Sequence, residues 1–164
     1  MLVVDTSALI SLAAGSVFEL VIDEFDVAIT ETILTELEET ASYDDRHARA
    51  ATAILEKVER LNVVSGSGES PLTSTIDAGE ASCVVAVQEY DASFLITDDF
   101  RALPELQQLV DAEVALSPIV LRALVKRGVL EEEAALRKFE TIANKRDWLG
   151  APIYRYARTL FSEK

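Results

Sequence analysis

Asp5, Glu36, Glu80 and the Asp98-Asp99 pair stand at the ends of apolar runs, in Val-Val-Asp5-Thr-Ser, Thr-Glu36-Leu, Ala-Gly-Glu80-Ala and Leu-Ile-Thr97-Asp98-Asp99. If those runs are parallel strands, or the starts of helices beside them, the carboxylates meet at one sheet edge. Converging carboxylates without Lys or Arg between them repel one another unless a cation neutralises them. One or two divalent ions held this way can deprotonate water and stabilise the attacking and leaving oxygens of a phosphodiester. That chemistry needs no histidine, cysteine or organic cofactor.

The rest of the inventory narrows the metal and removes competing chemistries. Cys83 is the only cysteine and His47 the only histidine. The chain therefore has no internal disulfide and no zinc cluster, and a Ser-His-Asp relay is disfavoured. Oxygen ligands favour Mg2+ or Mn2+ over zinc or copper. Cys83 reads as a small packing residue and His47 as a surface helix residue. A phosphoryl-transfer domain of the receiver or dehalogenase type fits worse. Position 7 is Ser where an Asp-x-Asp strand would need a second acid, and no lysine follows a strand near residue 116. There is also no Gly-x-x-x-x-Gly-Lys phosphate loop.

Apolar periodicity supplies the elements that must carry these residues. Leu2 to Val4, Val27 to Ile29, Asn62 to Val64, Phe94 to Thr97 and Val114 to Leu116 read as short strands. Between them, Ala8 to Ala14, Val17 to Ile22, Ile33 to Ala41, His47 to Leu61, Asp77 to Glu89 and Phe100 to Val110 show helical spacing, with Thr30 or Thr32 as a cap and Pro104 as a break. Ser65 to Thr75, rich in Gly, Ser and Thr, reads as a loop. Alternation of this kind predicts an α/β fold, a three-layer α/β/α sandwich around a parallel sheet whose ligands bind beyond the carboxyl ends of the strands. Residues 1–116 form that core. Residues 117–164 read as a helical extension packed on the same domain, with Gly128 and Gly150 as helix stops.

The Asp5-Thr-Ser opening, the acidic helix after the second strand and Thr97-Asp98-Asp99 together resemble the PIN-domain family over about residues 1–116. The resemblance implies a compact parallel sheet and, in many members, Mg2+- or Mn2+-dependent ribonuclease activity, including toxins of toxin-antitoxin pairs. It implies Asp5 as the first-strand ligand, Asp99 as the acid of a Thr-x-Asp motif, and Asp98 as a further contributor. It selects Glu36, although Glu31, Glu38 and Glu39 lie close enough that helical phase alone does not choose. Glu80 stands where an aspartate is common, in a Gly-Glu-Ala variant. Asp77-x-x-Glu80 also fits a capping box, and Asp77 is a substitute ligand. Thr6 or Ser7 is expected to orient Asp5, and Thr97 the later pair. Further expectations are an RNA substrate, an antitoxin partner and a homodimer. The competing reading is a PIN-like module that binds RNA or protein without turnover.

Charge is unevenly spread. The formal net charge is -14, yet residues 1–116 carry 23 acids against 5 bases while residues 117–164 carry 6 against 10. Arg122, Lys126, Arg127, Arg137, Lys138, Lys145, Arg146, Arg155 and Arg158 can grip an RNA backbone, with Trp148, Tyr154 and Tyr156 stacking bases. A charged helical face over core aromatics is the plainer reading of the same tail. Arg101 can balance the acidic pair or touch a phosphate. The acidic front suits a high-salt cytoplasm. The apolar runs fall short of a membrane span, and a soluble, unprocessed cytoplasmic protein is expected.

Overall fold

The computed structural model describes residues 1–66, 68, 70–71 and 73–162. Ser67, Glu69 and Leu72, which belong to the expected 65–75 loop, lie outside the described residues. In chain order the elements are β1 (Leu2–Val4), α1 (Thr6–Ala14), α2 (Phe18–Glu24), β2 (Val27–Thr30), α3 (Glu31–Ala41), α4 (Arg46–Leu55), a 3-10 turn (Val58–Arg60), β3 (Asn62–Val64), α5 (Ala78–Tyr90), β4 (Phe94–Ile96), α6 (Leu103–Leu109), β5 (Glu113–Ala115), α7 (Ser117–Lys126), α8 (Glu132–Lys145) and α9 (Pro152–Ser162).

The strands are short and apolar because both faces of the sheet are covered, and every residue of β2 is buried. They form one all-parallel sheet in the order β3-β2-β1-β4-β5. Helices flank it in a three-layer α/β/α arrangement. The register places Val3 beside Ala28 on one side and Leu95 on the other, and Val4 beside Ile96. From β1 the chain builds outward through β2 and β3, then crosses back to β4 and β5. The order therefore reverses between β1 and β4, and a crevice opens beyond their carboxyl ends. Asp5 follows β1 there, and Thr97-Asp98-Asp99 follows β4.

Three helices set the walls of that crevice. Thr30 caps α3 by accepting the Ile33 N–H at 3.1 Å, which starts the helix directly at the end of β2. On α5 the run Ala81 to Val87 is buried apart from half-buried Ser82, and the helix lies against β1, β2 and β4. Further along, α8 docks on α1, with fully buried Ile142 standing against Gly15. Gly15, just past α1, makes that approach possible: a Cβ there would stand 2.6 Å from Ile142 Cγ1. Lys138 Nζ and Lys145 Nζ donate to the carbonyls of Ser16 and Ala14 at 3.3 and 3.2 Å. The cationic end of the chain thus satisfies the orphan carbonyls at the close of α1, where the helix dipole favours positive charge.

Two elements differ from expectation. The helix expected over His47 to Leu61 stops at Leu55, and the 3-10 turn carries Val58 on toward buried Leu61. The tighter turn keeps the apolar spacing nearly in phase, so periodicity alone does not reveal the change. Pro104 does not break a helix; it sits in the first turn of α6, where its missing N–H has no helical partner to lose. Gly128 and Gly150 end α7 and precede α9 at φ of 74° and 83°, as helix stops require. Among the described residues no single helix is long and apolar enough to cross a membrane.

Candidate metal centre

Asp5 occupies the N-cap position of α1, yet its side chain makes no capping bond. Its Oδ2 instead accepts from Ser7 Oγ at 2.9 Å and from Thr97 Oγ1 at 3.0 Å. Those hydroxyls are themselves polarised, since Ser7 Oγ accepts the Asp98 N–H at 2.9 Å and Thr97 Oγ1 the Asp99 N–H at 3.2 Å. Two backbone amides thereby act on one carboxylate through two hydroxyls. The Thr97 hydroxyl thus does more than the sequence expectation of orienting the later acids: it accepts the Asp99 N–H and also donates to Asp5. Burial pushes the Asp5 pKa up to about 6 despite these hydrogen bonds, with Asp77 adding to the rise.

Glu36 is the glutamate of α3 that turns inward, whereas Glu31, Glu38 and Glu39 are exposed. Thr6 Oγ1 donates to its Oε2 at 2.5 Å. Across the gap, Gly79 gives the carboxylate room: a Cβ on it would stand 2.9 Å from Glu36 Cδ and nearer still to both oxygens. Burial raises the Glu36 pKa, with Asp5 and Asp77 contributing.

Glu80 takes part in a full capping box. The Asp77 carboxylate accepts the Glu80 N–H at 2.8 Å, and Glu80 Oε2 accepts the Asp77 N–H at 3.3 Å. Its carboxyl also lies near that of Asp99, which adds to the rise of its pKa. Burial, the neighbouring Asp99 carboxyl and the charge of Asp77 together hold Glu80 far above the ordinary carboxylate range. Capping and convergence therefore coexist at Glu80. Asp99 Oδ1 accepts the Ala102 N–H at 3.2 Å, which fixes the turn leading into α6.

Asp98 faces differently from its neighbour. Its Oδ1 accepts the Ser117 N–H at the start of α7, at 2.7 Å, and its buried Oδ2 has no hydrogen-bond partner. The charge acting on it is that of Arg146.

These residues line a pocket of about 450 Å3 with Asp77, His47 and Arg146. A groove of about 670 Å3 runs along the outer side of β5, but Asp111, Glu113, Arg122 and Lys126 line it and no carboxylates converge there. Sequence reasoning missed two members of the carboxylate pocket. His47 lies on its rim, with Nε2 3.3 Å from Arg146 Nη1, and is not a plain surface residue. Arg146 was grouped with the tail cations, and no local pattern marks the fold that returns it to β1 and β4. Arg101 is exposed and outside the pocket. Of the aromatics expected to stack bases, Trp148 is buried, and Tyr154 stacks on Phe139 and donates to Glu140. Tyr156 is 44% exposed and packs beside Phe100.

The donor set is hard and all oxygen, which fits Mg2+ or Mn2+. Among the described residues, however, no three His, Cys, Asp or Glu side chains are already grouped to hold an ion. The bonds above give the reason: Glu80 is folded back on its own cap, Glu36 is held by Thr6, and Asp98 is turned to α7. Charge makes the opposite demand, because the strongest charges acting on Asp5, Glu36 and Glu80 are other carboxylates.

No curated protein matches the chain. A family model described as a PIN domain, DUF3368, matches residues 1–163, and with more than half of its length so matched the chain belongs to the PIN-domain family.

Proposed function

We propose that this chain is an endoribonuclease that uses Mg2+ or Mn2+ to hydrolyse RNA phosphodiester bonds. The family is one of nuclease-type folds, and the observation that carries the reading is the meeting of Asp5, Glu36, Glu80 and Asp99 in one pocket at the reversal point of a parallel sheet. Asp5, Glu36, Glu80 and Asp99 would hold the ion. When bound, the ion supplies Lewis acidity at the phosphodiester and lowers the pKa of attacking water. Ser7 and Thr97 keep the Asp5 carboxylate aimed, and Thr6 does the same for Glu36. Glu80 must give up its proton and leave its cap before it can serve as a ligand. Asp98, anchored to α7, stands aside from that set.

The test is cleavage of a labelled single-stranded RNA with added Mn2+ or Mg2+. Asp5→Asn should lose at least the roughly 100-fold that even an outer-shell partner costs at a metal site. Equal residual activity in both proteins would trace the cleavage to a contaminant. The capping role of Glu80 favours a second reading, a PIN-like module that binds without turnover. Under that reading Mn2+ gives no saturable rise in melting temperature, whereas a nuclease shows one.

A further inference from the structure

Among the described residues lining the carboxylate pocket Arg146 is the only Lys or Arg, and it comes from the end of α8 rather than from β1, β4 or their helices. Its Nε is buried without a hydrogen-bond partner, and within the pocket its guanidinium meets only His47 Nε2, at 3.3 Å. An arginine presents five donors in a planar fork, and leaving them unmade in a desolvated place is costly. Opposite it, Asp98 Oδ2 is also buried and unpaired. Arg146 does not neutralise the group of four acids. The charges acting most strongly on Asp5, Glu36 and Glu80 are carboxylates, whereas Arg146 acts on Asp98.

A pocket with acids for a cation and a single arginine whose Nε has no hydrogen-bond partner has the polarity of a phosphodiester site. We infer that Arg146 binds non-bridging phosphate oxygens of the RNA strand, with His47 holding its side chain in place and the charge of Asp98 nearby. The inference rests on the RNA reading above and deepens it. Arg146 touches substrate; His47 is a positioning residue. Arginine suits this task because its fork meets two phosphate oxygens at once.

The test is binding of a fluorescein-labelled single-stranded RNA oligonucleotide in EDTA, followed by anisotropy over a series of salt concentrations. It needs neither metal nor turnover, so it is separable from the nuclease reading. Arg146→Gln should weaken binding and lower the slope of log K against log salt by about 0.7, the loss of one phosphate contact on a single strand. Lys57→Gln, which removes the same charge from the surface at its pairing with Glu19, should leave the slope unchanged. Arg146→Lys keeps the charge and should retain the slope while binding more weakly. It also serves if the Gln variant melts early. If RNA cleavage is present, Arg146→Gln should lower kcat/KM by about 100-fold. An unchanged slope, an equal loss in Lys57→Gln, no RNA binding by the parent protein, or tighter binding once Arg146 is removed would each overturn the inference.

Discussion

The space above Gly79 is set by one side chain, the Glu36 carboxylate. A methyl group there would collide with the far end of a flexible side chain and not with backbone, so Glu36 can swing away at little cost to the fold. Alanine is also the better helix former inside α5, by up to about 1 kcal/mol. Gly79→Ala is therefore expected to leave the melting temperature unchanged or slightly raised while metal-dependent cleavage falls about tenfold or more, the scale of losing an outer-shell partner. Parallel melting and RNA-cleavage measurements check it. A common loss of both would show that Gly79 serves the core alone.

Much of this site was readable residue by residue, for identifiable reasons. Asp5 and Asp99 follow short apolar strands, so their place at the sheet edge follows from strand polarity. Glu36 was not separable from Glu31, Glu38 and Glu39 by phase, because what selects it is a hydroxyl 30 residues away on α1. His47 and Arg146 left no mark in their own neighbourhoods. Their meeting depends on α4 and α8 both packing against α1.

The contact between α1 and α8 governs where Arg146 stands. Gly15 has φ of -83°, an ordinary value, so alanine there costs nothing in backbone strain and everything in space. Its Cβ would press on Cγ1 and Cδ1 of Ile142, a β-branched side chain that is fully buried and stiff at χ1. Gly15→Ala should destabilise the protein by about 1–3 kcal/mol, as overpacking of a filled core does. Denaturant midpoints measure that loss. Because Arg146 lies one turn beyond Ile142, the same variant should also bind RNA more weakly. At this scale the strand and helix alternation was legible, since each strand is a short continuous apolar run. The close of α4 was not, because a 3-10 turn preserves the spacing of Ile54, Val58 and Leu61.

Over the whole molecule the carboxylates tie stability to pH and to cations. Asp5 titrates near 6 in the fold, and Glu36 and Glu80 are also raised, so the folded chain binds more protons than the unfolded one once pH passes about 4. This contribution to stability is complete below pH 4. It is lost as pH rises through 6 for Asp5, and at higher pH for Glu80. The metal-free protein should therefore melt lower at pH 8 than at pH 5.5, and the stabilisation by millimolar Mn2+ should be larger at pH 8. Scanning fluorimetry at the two pH values checks both signs, and an Mn2+ effect that shrinks with pH would contradict the assignment. With a net charge of -14, screening should act in the same direction. At 1 M NaCl the Debye length is about 3 Å, so self-repulsion across the acidic surface fades and the melting temperature should rise.

The position of β1 at the centre of the sheet also orders events during synthesis. β1 is made first, but its β4 flank and the Thr97 hydroxyl that aims Asp5 arrive 92 residues later, and Arg146 later still. Contacts so distant in sequence close late. While the ribosome is still reading the message, the growing polypeptide has Asp5 without its hydroxyl partner and without the opposing acids. On the ribonuclease reading proposed above, a centre built this way stays silent toward its own transcript until translation has passed residue 99.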